Sequence, residues 1–323
     1  MNEPTALGSI FGIAFYPYGI CVALAGGIGC LIFIRIWNKD QNSAEDGFLF
    51  LCYAVVCCLL LSRAGYCAVQ AGFLSVDYSP GFIWQMQLGG YSLLGSIAGL
   101  LAAAWLFSRM KRHKQSFATL LDRVAPAALL VLAGERLAEC LTLEGIGGYV
   151  DNQSLQWFPL AVQDCYGDFV IPVFFWEALA ALVIAVGLLL WMRKGRRGDI
   201  ALTAVLFLGL TQILLESLRE DNYLRFGFVR VNQLLGIGMA LFAEILWLIR
   251  LKPHAWPAAG VCTVLMGCTA FLAWSEYALD KTSYSNLTLY FGMGVTLTLL
   301  AFMGIVLRNR YPVVEEEKSF AKG

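Results

Sequence analysis

Repeated apolar stretches of about twenty residues, separated by short polar loops, constrain this chain more than any other feature. Nine can be drawn, over about 11–36, 47–74, 86–107, 122–143, 171–192, 199–217, 230–250, 256–275 and 287–307. Each suffices for a helix to cross a hydrocarbon core of about 30 Å, since an α-helix rises about 1.5 Å per residue and satisfies its own backbone hydrogen bonds. The chain has 323 residues, 59% hydrophobic and only 14% charged. A soluble domain carries about 25% charged residues. The expected fold is therefore all-α, a polytopic membrane helix bundle of nine transmembrane helices.

The loops set an expected orientation. Arg35 and Lys39 follow the first stretch, Arg109-Met110-Lys111-Arg112-His113-Lys114 the third and Arg193-Lys194-Gly195-Arg196-Arg197 the fifth. Arg250 and Lys252 follow the seventh, and Arg308 and Arg310 the ninth, whereas loops 75–85 and 144–170 hold no Lys or Arg. Cytoplasmic loops carry the excess of basic residues, so the N-terminus is expected outside and the C-terminus in the cytoplasm. The first stretch has no basic leader and no small-residue cleavage site after it, and is expected to be retained as a helix. Residues 144–170, with Gly145, Gly147, Gly148 and four acidic residues, read as a small outer head or lid. Residues 218–230 break the charge rule by carrying Arg219, Arg225 and Arg230 beside Glu220 and Asp221. Either this is a solvated charged loop, or some of these arginines line the outer mouth of a lipid or peptide site.

A net charge of +0 and a pI near 6.7 argue against nucleic acid as a partner. The two histidines, His113 and His254, fall in basic loops, so no metal site of ordinary spacing and no cofactor is implied, and no apolar stretch offers a histidine base. Of the ten cysteines, Cys140 and Cys165 are the two expected near one membrane face, and a bond between them is left open. The aromatics Tyr16, Tyr18, Trp84 and Trp157 sit near expected helix ends, where interface belts form. The glycine pairs Gly26-Gly27 and Gly89-Gly90 would let helices approach closely.

Ionisable groups inside the membrane cost about 2.5–3.5 kcal/mol each at a helix centre, so they normally face a bundle interior or a wet cavity. Arg136 stands between Glu135 and Glu139 in an otherwise apolar stretch, with Arg63, Glu177, Gln212, Glu216, Gln233 and Glu244 elsewhere in the apolar set. Arg136 and Glu139, three residues apart, share a helix face and are expected to pair. Glu135 points elsewhere and would need Arg63 or Arg123. Gln212, Glu216 and Arg219 form a second polar stripe. These groups either only lock helices together or mark a site.

At these residues the chain resembles the prolipoprotein diacylglyceryl transferase family, over about residues 10–250. Tyr18-Gly19 resembles the family's Tyr-Gly, and Arg63-Ala64-Gly65-Tyr66 its Arg-x-Gly-Tyr. Gly89-Gly90-Tyr91-Ser92-Leu93-Leu94-Gly95 resembles Gly-Gly-x-Ser-x-His-Gly, and Asp122-Arg123-Val124-Ala125-Pro126 resembles Asp-x-x-Ala-Pro. Arg136-Leu137-Ala138-Glu139 resembles the signature Arg-x-Gly-Asn, with Glu144 and Gly147 where that signature has its Glu and following Gly. Pro172 and Trp176-Glu177 resemble Pro-x-Gln-Leu-Tyr-Glu, Glu216 and Arg219 a Glu-x-x-Arg, and Gln233 a Gln opening the seventh span.

The resemblance implies an enzyme of the bacterial cytoplasmic (inner) membrane. It would move a diacylglyceryl group from phosphatidylglycerol to the lipobox cysteine thiol of a precursor protein, in lipoprotein biosynthesis. Arg136, Glu139 and Tyr18 are the implied catalytic residues. Arg63, Gly147, Glu177, Gln212, Glu216, Arg219 and Gln233 are the implied binding set. The implied domain is a seven-helix transferase-like unit over 1–252, with two extra helices and a tail over 253–323. The chain departs from the pattern at Leu94 (His in the family), Leu208 (Tyr), Gln212 (Arg), Glu139 (Asn) and Glu135 (Gly). The last three each make the site one unit more negative, which points to a less anionic donor lipid or to a homologue that binds a lipid or lipoprotein without catalysis. A transporter is the weakest alternative, since neither broken helices nor an internal repeat is evident.

Overall fold

The computed structural model describes residues 7–10, 13–39, 43–73, 91–110, 115–142, 144–191, 196–220, 225–226, 229–251 and 255–310. Among the described residues, nine long helices follow one another: α1 (Pro17–Lys39), α2 (Ala44–Phe73), α3 (Leu93–Arg109), α4 (Phe117–Ala138), α5 (Val173–Trp191), α6 (Asp199–Leu218), α7 (Val231–Leu251), α8 (Ala255–Lys281) and α9 (Asn286–Arg310). Eight are long and apolar enough to cross a membrane; α3 is the shorter one. The protein is a multi-pass all-α membrane protein. Three two-stranded antiparallel pairs accompany the helices: β1 (Gly8–Ile10) with β2 (Ile13–Phe15), β3 (Val162–Gln163) with β4 (Phe169–Val170), and β5 (Arg225–Phe226) with β6 (Val229–Arg230).

The first helix starts later than the apolar run suggests. Residues 13–15 belong to β2, and α1 opens on Pro17. Proline suits a first turn, where its missing N–H would have no helical partner. Polar caps set other starts: the Ser92 hydroxyl accepts from Gly95 N at 3.3 Å ahead of α3, and the Ser116 hydroxyl from Thr119 N at 3.2 Å ahead of α4.

The chain divides into two compact units, the first comprising residues 1–192 with 218–224 and the second 193–217 with 225–323. In the first, Phe33, Trp37, Phe50 and Phe107 form a buried aromatic cluster whose rings meet at centroid distances of 5.3–6.4 Å. Small residues bring its helices together. A Cβ at Gly99 would lie 2.6 Å from Cys57 O and from Cys58 Cα, so α3 can touch the α2 backbone only through glycine. Gly29 and Gly134 make the α1–α4 contact, against Val131 and Ala25. Gly26 and Gly27, expected to do this, face open space: the contact face of α1 runs through Ala25 and Gly29, one turn apart. Gly89, Gly90 and Trp84 lie outside the described residues, as do His113 and His254.

In the second unit, Leu206, Leu210, Ile213, Ala240, Trp247, Leu272, Met293 and Leu300 pack one apolar core from α6–α9. Gly209 and Gly236 face each other so closely that a Cβ on either would lie 2.5–2.7 Å from the other's carbonyl oxygen.

Candidate functional site

Helix α4 loses its regular pitch at its end and tightens into a 3-10 turn over Glu139–Leu141. Arg136 and Glu139 therefore stay on one face, and the Arg136 Nη1 donates to Glu139 Oε1. Arg136 Nε lies 3.3 Å from Glu177 Oε2, in the first turn or so of α5. That same Glu177 oxygen accepts from Arg219 Nη1 at 3.1 Å. All four side chains are buried, Arg136 the most open at 10% side-chain exposure and Glu177 the least at 1%. Two guanidinium groups thus share one carboxylate oxygen, and Arg136 also holds the second carboxylate, that of Glu139.

Arg219 reaches this place because the backbone ahead of α5 is folded onto it. Gly147 and Arg219 form an isolated antiparallel bridge, Glu220 N donates to Ile146 O at 3.1 Å, and Gly147 N donates to Ile171 O at 2.8 Å. A Cβ at Gly147 would sit 2.5 Å from Leu218 O and 3.0 Å from Val173 Cγ2, so only glycine permits the bridge. Gly145 has a φ of 65°, and a side chain there would overlap Glu139 Oε2. This left-handed residue is what lets the chain turn tightly under the carboxylate. Glu139 Oε2 is buried and accepts no hydrogen bond among the described residues.

Tyr18, half-buried near the start of α1, has its hydroxyl within electrostatic reach of Glu135, Glu139, Glu144 and Arg136. Arg63 is 1% exposed in α2, its guanidinium 5.7 Å from the Tyr66 ring centroid. Arg123, one of the two arginines proposed for Glu135, is not its partner. It donates to Gln115 at 2.8 Å and lies over Trp37, about 18 Å along the helix from Glu135 by the twelve-residue separation.

Residues 144–170 fold into a small head carrying β3, β4 and a 3-10 turn at Gln153–Leu155. Asp164 Oδ1 accepts from Tyr166 N and Asp168 N at 2.8 and 2.9 Å and closes its hairpin. Cys140 and Cys165 are free thiols. Trp157 is 55% exposed, its indole N–H donating to Ser154 O.

The remaining expected site residues lie in the second unit. Glu216 is fully buried, its Oε1 3.8 Å from Arg230 Nη1. Arg230 N donates to Gln233 Oε1 at 2.9 Å, one half of a capping box, in which the third helical residue reaches back to the residue before the helix. The Gln233 amide nitrogen donates to Ile213 O at 3.4 Å. Gln233 thus starts α7 and ties it to α6. Gln212 is buried on the same helix as Glu216.

Two residues are not singled out from their neighbours by the sequence. Arg230 is one of three arginines in a loop, and only its position immediately before an apolar run that opens with a Gln cap marks it. Gly145 is one glycine of four in the outer head, and only the turn it makes beneath Glu139 distinguishes it.

A multi-pass helical membrane protein with paired arginines clasped on a buried glutamate is the class these features define. A family model for prolipoprotein diacylglyceryl transferase matches residues 5–249, and the chain belongs to that family. The phosphatidylglycerol–prolipoprotein diacylglyceryl transferase of Clostridium kluyveri is 31% identical over 246 residues, 74% of this chain and 93% of the relative. The protein of the same name from Geobacillus kaustophilus is 26% identical over 261 residues, 76% of this chain and 92% of its own. That from Bacillus cytotoxicus is 29% identical over 248 residues, 73% and 88% respectively.

Proposed function

We propose that this protein is a diacylglyceryl transferase of the bacterial cytoplasmic membrane, acting at the outer leaflet with its N-terminus outside and its C-terminus in the cytoplasm. It takes the diacylglyceryl group from a phospholipid, phosphatidylglycerol or a less anionic one, and delivers it to the lipobox cysteine of a precursor protein. The observation that carries this reading is the convergence of Arg136 and Arg219 on a single Glu177 oxygen.

Two guanidinium groups that close are oriented before any ligand arrives, so little rotamer freedom is lost when they turn to a phosphate. In the transfer the thiol sulfur forms a bond to the glycerol carbon as that carbon's bond to the phosphate oxygen breaks. Glycerol phosphate leaves with the bonding pair. Negative charge grows on the departing phosphate, and Arg136 and Arg219 are the cations that meet it. Glu139, with one oxygen on Arg136 and the other unengaged among the described residues, is the group available to take the thiol proton. This role falls to it because Leu94 stands where the family has histidine.

One observation favours a second reading, a homologue that binds a lipid or lipoprotein without catalysis. Arg136 and Arg219 are matched by Glu139 and Glu177, so the cluster is neutral as a set of four ions. A lipid phosphate would then have to displace a carboxylate or arrive with a proton.

The purified protein is incubated with phosphatidylglycerol or a mixed lipid extract and a lipobox peptide, and the peptide is weighed by mass spectrometry. A diacylglyceryl adduct that disappears in Arg136→Ala, with that variant still expressed and monodisperse, supports the transfer. Lipid retained without any adduct supports the binding reading, and full activity in Arg136→Ala removes the site.

A further inference from the structure

Helix α5 has no length to spare in a membrane. Its 19 residues make a rod of about 28 Å against about 30 Å of hydrocarbon. Arg193 and Lys194 follow it closely and are costly inside the hydrocarbon, so they fix the depth of that end. Counted back from there, the first turn of α5 lies at the opposite boundary of the hydrocarbon core. Whatever packs against that turn shares its depth.

One face of α5 is apolar and exposed through Leu179, Val183, Val186 and Leu190, while Ala178, Ala181, Ala185 and Leu188 on the other side are buried. Phe175 stands four, eight, eleven and fifteen residues before the four exposed ones, which is helical spacing, so it heads this lipid-facing stripe. The head continues the stripe. Phe158 meets the Phe175 ring edge-on at a centroid distance of 4.8 Å, and Phe175 meets Trp176 at 5.5 Å. Phe158 is still 58% exposed, and Leu155 and Trp157 beside it are exposed as well.

This corner is built to lie in an apolar layer, where irregular backbone persists only if the protein satisfies its polar groups. Leu155 N donates to Asn152 O and Trp157 N to Leu155 O, both at 2.9 Å, and Trp157 O accepts from Leu160 N at 2.8 Å. The Trp157 indole N–H donates to Ser154 O at 3.1 Å, so the ring can enter an apolar layer without an unmet donor. Residues 144–170 hold four acidic side chains and no Lys or Arg, so attraction to anionic head groups contributes nothing.

We propose that Leu155, Trp157 and Phe158 form a membrane-inserting corner that seats the head in the interfacial layer of the bilayer beside the start of α5. Its occupant is the lipid itself, because the corner extends a lipid-facing helix face at a depth the helix sets. The seating is by apolar burial and is the same on zwitterionic lipid. Glu177 stands two residues after Phe175, about 3 Å further along the axis and on the buried side. Lipids that touch the corner therefore carry their head groups nearly level with the Arg136–Glu177–Arg219 clasp. This inference rests on α5 crossing the membrane and stands independently of diacylglyceryl transfer.

Photocrosslinking of the full chain in phosphatidylcholine vesicles tests it. Trp157→p-benzoylphenylalanine places the probe on the corner, and Val183→p-benzoylphenylalanine places it on the lipid-facing stripe as a reference. After irradiation the protein is weighed by mass spectrometry. Both positions are expected to gain the mass of one phosphatidylcholine, in low and high salt alike and with or without a lipobox peptide. Lipid adducts at 183 but none at 157 overturn the proposal, as do adducts at 157 that vanish in high salt. A corner that crosslinks only to the peptide, or only to a second copy of the chain, overturns it too. Should the variant at 157 fail to fold, the emission of Trp157 is taken as the wild-type spectrum minus that of Trp157→Phe. Brominated phosphatidylcholine is expected to quench it more than acrylamide does, and the reverse order places the indole in water and overturns the proposal.

Discussion

Arg219 Nη1 lies 3.1 Å from Glu177 Oε2, a buried pair formed across 42 residues of sequence. The same Glu177 oxygen lies 3.3 Å from Arg136 Nε. Removing that carboxylate leaves two buried cations facing each other, and breaking a buried pair typically costs about 3–5 kcal/mol. Glu177→Ala is therefore expected to lower the thermal midpoint by several degrees or to prevent folding. A midpoint equal to that of the wild type in detergent would show that the clasp contributes nothing to stability.

Arg136 meets Glu139 through Nη1 and Glu177 through Nε, two different edges of one planar group. A lysine ammonium is a single point charge and cannot span both. Arg136→Lys is expected to lose at least about 100-fold in adduct yield, about 2.7 kcal/mol of transition-state stabilisation. Adduct yields within a factor of two in parallel assays would mean that charge alone suffices.

Gly145 and Gly167 both have positive φ, 65° and 90°, but only Gly145 has Glu139 and Phe174 where a side chain would go. Gly167→Ala should cost only the backbone strain, about 1–2 kcal/mol, with lipid retention intact. Gly145→Ala should cost more and weaken lipid retention as well. Equal losses in both variants would remove the turn under Glu139 from the site.

Glu135 and Glu139 place two carboxyl groups within three residues of Arg136. The pair of substitutions Glu135→Gly and Glu139→Asn should raise the use or retention of phosphatidylglycerol. If each charge is worth about 1.4 kcal/mol, the gain is about tenfold per site. Unchanged preference between phosphatidylglycerol and a zwitterionic lipid in a competition assay would show that these charges do not select the donor.

Gly99→Val should separate α2 from α3, since its Cβ would already stand 2.6 Å from Cys57 O, and membrane yield should fall sharply. Gly26→Ala meets nothing within 4 Å and should be neutral. A well-expressed, monodisperse Gly99→Val would place that helix crossing elsewhere.

The sequence by itself determined the number, type and approximate ends of the helices, because a backbone in hydrocarbon must satisfy its own hydrogen bonds and only long apolar runs can do so. It also determined the Arg136–Glu139 pair, since three residues is one turn and the partners share a face wherever the helix goes. The tertiary structure decided everything that depends on which face meets which neighbour. It turned Gly29 rather than Gly26 toward α4, placed Arg123 over Trp37 rather than beside Glu135, and used Gln233 as a helix cap. It brought Arg219 to Glu177 through a bridge at Gly147, and it set Phe158 of the head against Phe175 of α5. Apolar composition is nearly uniform around these helices, so periodicity marks no single buried face; close packing and the pairing of buried charge select it.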